Sequence, residues 1–191
     1  MTAARTRTCC FTGHRPGKLP WGEDERDPRC LALKRSLLRE LEGLYRQGWR
    51  HFISGMALGC DLYFAEAALE LREIYPALTL EAALPFPGQA ARWPEHSRAR
   101  WQAVLDACDR RTVVSGSYDR GCMLRRDRYM ADRSSVILAV FDGTPGGTKY
   151  TLDYAAAKGL DILLLDPARP AAAALRMAAP DEQENFFDFS H

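Results

Sequence analysis

Runs of apolar residues alternate along this chain with segments whose apolar residues recur at helical spacing. The run 135–141 (SVILAVF) is unbroken and rich in β-branched residues, which is typical of a buried strand. Between such runs, leucines and alanines return every three to four residues, as they do on one face of a helix. The pattern predicts strands at 8–12, 51–54, 79–84, 111–115, 135–141 and 162–166, and helices at 31–45, 58–72, 95–108, 123–132 and 148–158.

This order of elements predicts an α/β fold in a single domain. Strand–helix–strand repeats form right-handed crossovers, which give a mostly parallel sheet with helices on both faces. We assign residues 7–167 to the domain and residues 168–191 to a C-terminal tail that ends in the acidic and aromatic sequence DEQENFFDFSH. The tail is interpreted as a frayed end or as a strap over the domain. The alternative is a docking peptide anchored by Phe186, Phe187 and Phe189.

Composition and charge indicate an ordinary globular protein. Of its 191 residues, 47% are hydrophobic and 27% are charged, and the net charge of +1 argues against a protein that coats polyanions. No apolar run approaches the roughly 20 residues of a membrane span, and the first residues lack the apolar core of a signal peptide. The six cysteines show no C-x-x-C spacing. We therefore expect a cytoplasmic protein with reduced thiols, no metal site and no membrane partner.

Three loops that contain glycine follow directly after predicted strands, so all three open on one edge of the sheet. Ligands of open parallel sheets bind at that edge, near the point where the strand order reverses. The first loop, TGHRPGKLPWG, contains Thr12, Gly13, His14 and Arg15. Gly13 permits a sharp turn, and a planar guanidinium suits a phosphate or a carboxylate. The alternative is a surface turn with Arg15 in an ordinary ion pair.

The second loop, SGMALGCD, joins a predicted strand to a predicted helix and contains Ser54, Gly55, Met56, Gly59 and Asp61. The glycines permit a tight turn and the close approach of a ligand, and the helix start presents free N–H groups that favour an anion. Since a phosphate beside Asp61 would be repelled, we expect a sugar at Asp61 and a phosphate on the glycine backbone. The alternative is that Asp61 only stabilises the helix start.

The third loop, FDGTPGGTKYT, follows the clearest strand and contains Asp142, Gly143, Gly146, Gly147 and Thr148. Gly146 and Gly147 form a cradle of phosphate size, and Thr148 is predicted to cap the following helix. The alternative is a mobile turn with an ordinary threonine cap. Convergence of three such loops on one edge favours a ligand site.

Two further features remain secondary. The segment RGCMLRRDRYMADR, residues 120–133, is basic and is interpreted as a solvated helix face, with binding of a polyphosphate or nucleic acid as the alternative. The arginines that could hold such a ligand are Arg125, Arg126, Arg128 and Arg133. The four tryptophans are expected to pack in or around the core, and Trp93 is the candidate for base stacking because its loop ends at the same edge.

Three segments together resemble the YpsA-like branch of the SLOG superfamily, which also contains DprA, the LOG phosphoribohydrolases and molybdenum-cofactor carrier proteins. They are CFTGHRPGKLPWG, ISGMALGCDLYFAEAAL and RDRYMADRSSVILAVFDGTPGGTKYT, and the resemblance runs from about Cys9 to Asp166. It implies a Rossmann-like, doubly wound fold. It also implies a site for a nucleotide-derived ligand, NAD-like or ADP-ribose-like, and a role in stress or cell-division regulation.

One departure from the LOG pattern bears on catalysis. LOG hydrolases resemble P-G-G-x-G-T-x-x-E, in which the glutamate serves cleavage of the N-glycosidic bond. Here Pro145, Gly146 and Gly147 are followed by TKYT, so the later glycine is missing. Asp153 is the only acidic residue nearby.

Three functions follow from these observations. The first is binding or sensing of a small nucleotide-derived ligand, which needs no nucleophile or general acid. The second is hydrolysis of a nucleotide N-glycosidic bond, for which the catalytic candidates are Asp61, His14 and Asp153. The third is DprA-like binding of single-stranded DNA through the basic segment. Small α/β domains commonly self-associate, so a homo-oligomer is a further expectation.

Overall fold

The computed structural model describes residues 7–178, which form one seven-stranded sheet covered by helices. The strands are β1 (Thr8–Gly13), β2 (His51–Ser54), β3 (Thr79–Leu84), β4 (Arg110–Val113), β5 (Val136–Val140), β6 (Asp161–Leu165) and β7 (Leu175–Met177). Their order in the sheet is β4-β3-β2-β1-β5-β6-β7. All neighbouring strands are parallel except β6 and β7, which are antiparallel.

Five α-helices connect the parallel strands. They are α1 (Pro28–Arg46), α2 (Cys60–Ile74), α3 (Glu95–Ala107), α4 (Cys122–Asp132) and α5 (Gly147–Ala157). Local sequence fixes the start of α1, because the Asp27 side chain accepts a hydrogen bond from the Arg29 amide at 2.8 Å and Pro28 occupies the first helical position. A short 3₁₀ turn, Pro16–Lys18, follows β1.

The predicted fold class is confirmed. Every strand and helix predicted from the sequence is present with ends within three residues of the prediction, and the sheet is doubly wound and mostly parallel. None of the helices in residues 7–178 is long and apolar enough to cross a membrane.

The last strand was not predicted. We expected the domain to end at residue 167, whereas β7 extends the sheet beyond that point by pairing Leu175 with Leu164 and Met177 with Ile162. The segment before β7 also packs on α1, because Ser36 donates a hydrogen bond to the Pro170 carbonyl at 2.6 Å. Residues 168–178 therefore form a strap on the domain. The acidic and aromatic end of the predicted tail, with its three phenylalanines, lies outside the described residues.

The sheet separates two apolar layers. Cys9 and Cys10 are neighbours in β1, and because side chains alternate along a strand they lie in different layers. One layer packs beneath α1, α2 and α3, and the other packs beneath α4 and α5. All six cysteines are free thiols, and burial raises the pKa of the Cys10 thiol to about 12.

The strand order reverses direction at β1. From β1 the chain proceeds outward through β2, β3 and β4, and it then returns through α4 to place β5 on the other side of β1. The loops after β1 and β5 consequently diverge from adjacent strand ends. This is the switch point at which open α/β sheets leave a crevice for ligands.

Candidate functional site

A cavity of about 300 Å³ lies at this switch point. Its walls come from the loop after β1, the starts of α2 and α5, and one side of α4. Of the residues predicted to bind a ligand, those that line the cavity are Thr12, Gly13, His14, Arg15, Asp61, Gly147 and Thr148. Those that support the walls or lie outside them are Ser54, Gly55, Met56, Gly59, Asp142, Gly143 and Gly146.

His14 joins the loop after β1 to the loop after β5. Its ring is 2% exposed, and its Nε2 lies 2.8 Å from Asp142 Oδ1. The same carboxylate accepts hydrogen bonds from the amide and the hydroxyl of Thr144, at 2.9 and 2.7 Å. Partial burial raises the pKa of Asp142, but the hydrogen bonds from Thr144 and His14 outweigh it and lower that pKa to about 2. Asp142 therefore organises the third loop rather than lining the cavity.

Two cations of the first loop stand at the mouth of the cavity. Lys18 donates a hydrogen bond to the Pro145 carbonyl at 2.7 Å, and its ammonium lies close to Gly146, which adopts a positive φ of 150°. Within residues 7–178 the Arg15 guanidinium has no hydrogen bond or ion pair, in contrast to the surface ion pair considered from the sequence. Arg15 is thus available to an anion.

The turn after β2 is held rigidly by its own polar groups. The Ser54 hydroxyl accepts a hydrogen bond from the Met56 amide at 3.1 Å and donates one to the Asp61 carbonyl at 2.9 Å. Met56 is fully buried with a φ of 58°, a strained value for a residue with a side chain. Gln89 and Trp101 hold it there by donating to its carbonyl, each at 3.1 Å. Met56 supports the site from behind.

The space beside the glycines of this turn is filled by other atoms of the protein, so it is not open to a ligand. A Cβ on Gly59 would approach the His14 carbonyl to 2.9 Å, and that carbonyl accepts the Cys60 amide at 3.2 Å. A Cβ on Gly55 would overlap the guanidinium of Arg126. The loop after β1 thus covers the start of α2 at Gly59, and the glycine backbone that stays open at the cavity is that of Gly147.

Asp61 projects from the first turn of α2 into the floor of the cavity and is 5% exposed. Its Oδ2 accepts the Ala57 amide at 3.1 Å and lies 3.9 Å from Arg126 Nη1. Burial raises the pKa of Asp61 to about 6, although Arg126 and the Ala57 amide act in the opposite direction.

Arg126 and Asp127, on α4, complete the floor and were missed as site residues from the sequence. Arg126 is 6% exposed, donates to the Gly55 carbonyl, and pairs through Nε with Asp127 Oδ1 at 2.8 Å. The interpretation of its segment as a solvated helix face is wrong at this position. It holds for Arg125 and Arg128, which are exposed. A signal for Arg126 existed in the apolar residues at 123 and 130, which place it beside the buried side of the helix.

The start of α5 forms the opposite wall. Gly147 and Thr148 are its first two residues, and Gly146 precedes them without any side chain that caps the helix. The prediction that Thr148 caps α5 is wrong, because Thr148 already lies inside the helix. Backbone amides at an uncapped helix start are free to bind an anion. A Cβ on Gly147 would meet no atom within 4 Å, so this wall is open.

Two predicted candidates lie away from the cavity. Asp153 is exposed on α5 and forms an ion pair with Lys149 at 2.6 Å. Trp93 packs against the core and contacts Trp101 edge-on, with ring centroids 6.2 Å apart. Neither residue lines the cavity, so the catalytic candidates reduce to Asp61 and His14.

A doubly wound, mostly parallel α/β sheet with a crevice at its switch point defines the class of Rossmann-like domains. The chain belongs to the YspA SLOG family, whose model matches residues 9–164. The resemblance found in the sequence is confirmed.

Relatives and solved structures agree with this assignment. A UPF0398 protein of Brevibacillus brevis is 27% identical over 87% of this chain and 90% of its own length. The UPF0398 protein YpsA of Bacillus subtilis is 27% identical over 76% of this chain and 82% of its own.

Two DprA structures share the fold. DprA from Streptococcus pneumoniae has a TM-score of 0.56 at 14% identity, covering 84% of this chain and 50% of that one. DprA from Helicobacter pylori, described for its single-stranded DNA binding mode, has a TM-score of 0.54 at 17% identity, covering 84% of this chain and 66% of that one. This chain thus spans half to two thirds of the DprA chains.

Proposed function

We propose that this protein binds a nucleotide-derived ligand, a nucleoside phosphate or an ADP-ribose-like or NAD-like molecule, in the cavity at the switch point. One observation carries the proposal. The cavity combines cationic side chains and the amides of a helix start at its mouth with buried hydrogen-bond acceptors at its floor. A sugar phosphate has the complementary arrangement, with negative charge at one end and hydroxyl donors next to it.

The phosphate is assigned to the mouth. Arg15 offers a guanidinium that forms no ion pair with any residue from 7 to 178, and Lys18 offers an ammonium whose partners are a carbonyl and a hydroxyl. Across from them, the uncapped start of α5 presents the amides of Gly147 and Thr148. Two cations and a helix N-terminus together favour a dianion much more than any one of them does.

The sugar and the base of the ligand are assigned to the interior of the cavity. Phe11, Met123 and Met130 supply apolar surface for a planar base. The volume of about 300 Å³ is at the small end of the roughly 300–1,000 Å³ range of small-molecule sites. The enclosed space therefore suits one nucleoside phosphate, and a dinucleotide would extend beyond the rim.

A leucine at Gly147 tests this assignment. The side chain of Gly147→Leu enters open space at the start of α5, so it fills the phosphate end without disturbing the fold. We expect it to abolish the thermal stabilisation that AMP, ADP-ribose or NAD confers on the wild-type protein. Gly116→Leu is the matched control, because Gly116 also has open space around it and does not line the cavity. Equal ligand-induced shifts in both variants would place the site elsewhere.

Hydrolysis of the N-glycosidic bond is the second candidate, and the raised pKa of Asp61 favours it. A buried carboxyl group whose pKa is about 6 is suited to proton transfer near neutral pH. In this reaction Asp61 would stabilise the ribosyl cation or position water, and His14 would protonate the leaving base. Release of free base from nucleoside monophosphates, lost in Asp61→Asn even at saturating nucleotide, is the expected evidence. Absence of any released base removes this candidate.

Single-stranded DNA is the third candidate, and it rests on the fold shared with DprA. The exposed arginines of α4 already have partners, since Arg125 pairs with Asp119 and Arg128 donates to the Tyr150 hydroxyl at 2.7 Å. Contacts to phosphates would make binding of an oligonucleotide fall steeply between about 50 mM and 200 mM salt. Binding that is absent or insensitive to salt would reject this function.

A further inference from the structure

Two buried carboxylates meet on the floor of the cavity from opposite faces of the sheet. Asp61 projects from the start of α2, and Asp127 projects from α4. The two residues are 5% and 9% exposed, so both are more than nine-tenths buried. Carboxylates are rarely buried to this extent without a partner for each oxygen.

Each of these carboxylates has one oxygen that the protein leaves available. Asp61 Oδ2 accepts the Ala57 amide, and Asp127 Oδ1 accepts the Arg126 Nε–H. Within residues 7–178, the second oxygen of each group receives no hydrogen bond, and neither is among the polar atoms sealed from solvent. Because both residues line the cavity, these two oxygens are acceptors that a ligand can reach.

Charge limits what can occupy this position. The two carboxylates pair with the guanidinium of Arg126, and Arg15 also acts electrostatically on Asp61 from the same cavity, so neither sign of charge is left in large excess. A phosphate would be repelled by the two carboxylates that line this floor, and a cation would have to displace Arg126, which already pairs with both of them. The position therefore suits an uncharged group with two hydrogen-bond donors.

We propose that Asp61 and Asp127 are specificity-determining residues that bind the vicinal diol of a ribose, so that the cavity accepts ribonucleotides and rejects 2′-deoxyribonucleotides. This inference rests on the proposed function and specifies its substrate class. The two hydroxyl groups of a ribose donate to the two available oxygens. A deoxyribose leaves one of these buried acceptors without a donor, which is the situation in which polar sites discriminate most strongly.

The inference also separates this cavity from DNA binding. A strand of DNA offers no 2′-hydroxyl group, so it cannot satisfy both carboxylates. If this protein binds single-stranded DNA, it does so on a different surface.

The test compares AMP, 2′-deoxy-AMP and 3′-deoxy-AMP by isothermal titration calorimetry on the full chain at neutral pH. We expect the wild-type protein to bind AMP roughly 10- to 100-fold more tightly than either deoxy analogue, the range of a lost hydrogen bond to a charged group. Asp61→Asn and Asp127→Asn should each weaken AMP far more than the deoxy analogues, so that the ratio falls toward one. Asp153→Asn is the matched control, since that carboxylate is exposed and lies away from the cavity.

The outcomes of these titrations distinguish failure of the diol inference from failure of the proposed nucleotide binding. Equal wild-type affinity for AMP and both deoxy analogues overturns the diol inference and leaves nucleotide binding intact. An AMP preference that survives in both variants, confirmed as folded by circular dichroism, also overturns it, as does a preference that requires Mg²⁺ and disappears with EDTA. If none of AMP, GMP, CMP, UMP, ADP-ribose and NAD binds, the proposed function itself fails.

Discussion

Asp61 illustrates a conflict between stability and function at a single residue. Its pKa is raised from 3.8 to about 6, which means that keeping this carboxylate ionised at neutral pH costs the folded protein about 3 kcal/mol. Arg126 offsets the charge only in part, because it is also paired with Asp127. Asparagine at this position has the same shape and no charge, so Asp61→Asn removes the negative charge and retains an oxygen that accepts the Ala57 amide.

We therefore predict that Asp61→Asn stabilises the unliganded protein at neutral pH by up to about 3 kcal/mol. Since the pKa of Asp61 is higher in the folded than in the unfolded state, the wild-type protein gains stability as pH falls from about 6 to about 4. The advantage of the variant should disappear over the same interval. Urea unfolding at several pH values measures this, with Asp153→Asn as the control. A variant that is less stable than wild type at neutral pH would contradict the assigned cost of burial.

Some residues of the site were predictable and others were not. Gly13, His14 and Gly147 could be placed because they belong to segments that begin where a strand ends, and the position of a strand end is set by the local apolar pattern. Arg126 and Asp127 could not be placed, because charged residues on a helix usually face water. Their burial results from the packing of α4 against the turn at Gly55, which is a tertiary contact. The apolar residues at 123 and 130 indicate only that Arg126 lies beside the buried side of the helix.

At the scale of elements, the site depends on how closely the start of α2 approaches the end of β1. A Cβ on Gly13 would lie 2.6 Å from the Cβ of Cys60 and 2.9 Å from the ring of Phe11. The amide of Cys60 also donates to the carbonyl of His14. The Cβ of Cys60 and the buried ring of Phe11 cannot swing aside as the end of a flexible side chain can. The start of α2 would therefore have to move away from β1 to make room for a Cβ on Gly13.

We predict that Gly13→Ala lowers the free energy of unfolding by about 1–3 kcal/mol, the usual cost of overpacking. Gly17→Ala, four residues further along the same loop, should change it by less than about 0.5 kcal/mol, because a Cβ there meets no atom within 4 Å. Chemical denaturation of both variants makes the comparison. Equal stability of the two would mean that α2 and β1 adjust without cost.

The strands that could be predicted from the sequence differ physically from β7, which could not. Strand β5 is buried along its whole length, so its five residues are all apolar and form a clear run. Strand β7 has three residues, LRM, all of them exposed at the edge of the sheet. A strand without a buried face has no alternating pattern, and its existence depends on pairing with β6 rather than on its own composition.

For the whole molecule, the strand order explains why distant loops meet. Within the described sheet, strands β1 to β4 and strands β5 to β7 are joined only by the pairing of β1 with β5. Beyond the ends of these strands, His14 to Asp142 and Lys18 to Pro145 connect the two halves. The cavity lies beside these contacts, so the groups that we assign to phosphate belong to both halves.

Strand β7 lies at the far edge of the sheet, so its contribution to stability can be separated from the site. A chain that ends at residue 172 loses the pairing of Leu175 and Met177 with β6, and it exposes β6 as a new sheet edge. We predict a loss of about 2 kcal/mol in unfolding free energy, from the missing backbone hydrogen bonds, together with increased aggregation.

A chain that ends at residue 178 is the matched control, because it keeps every described residue at this end of the sheet. Denaturation and light scattering measure the two effects, and AMP titration of both chains measures the site. Because no residue of β7 lines the cavity, affinity for AMP should be the same in both chains. Loss of affinity in the shorter chain alone would show that the edge of the sheet and the switch point are energetically coupled, and that the site is not confined to the crevice between β1 and β5.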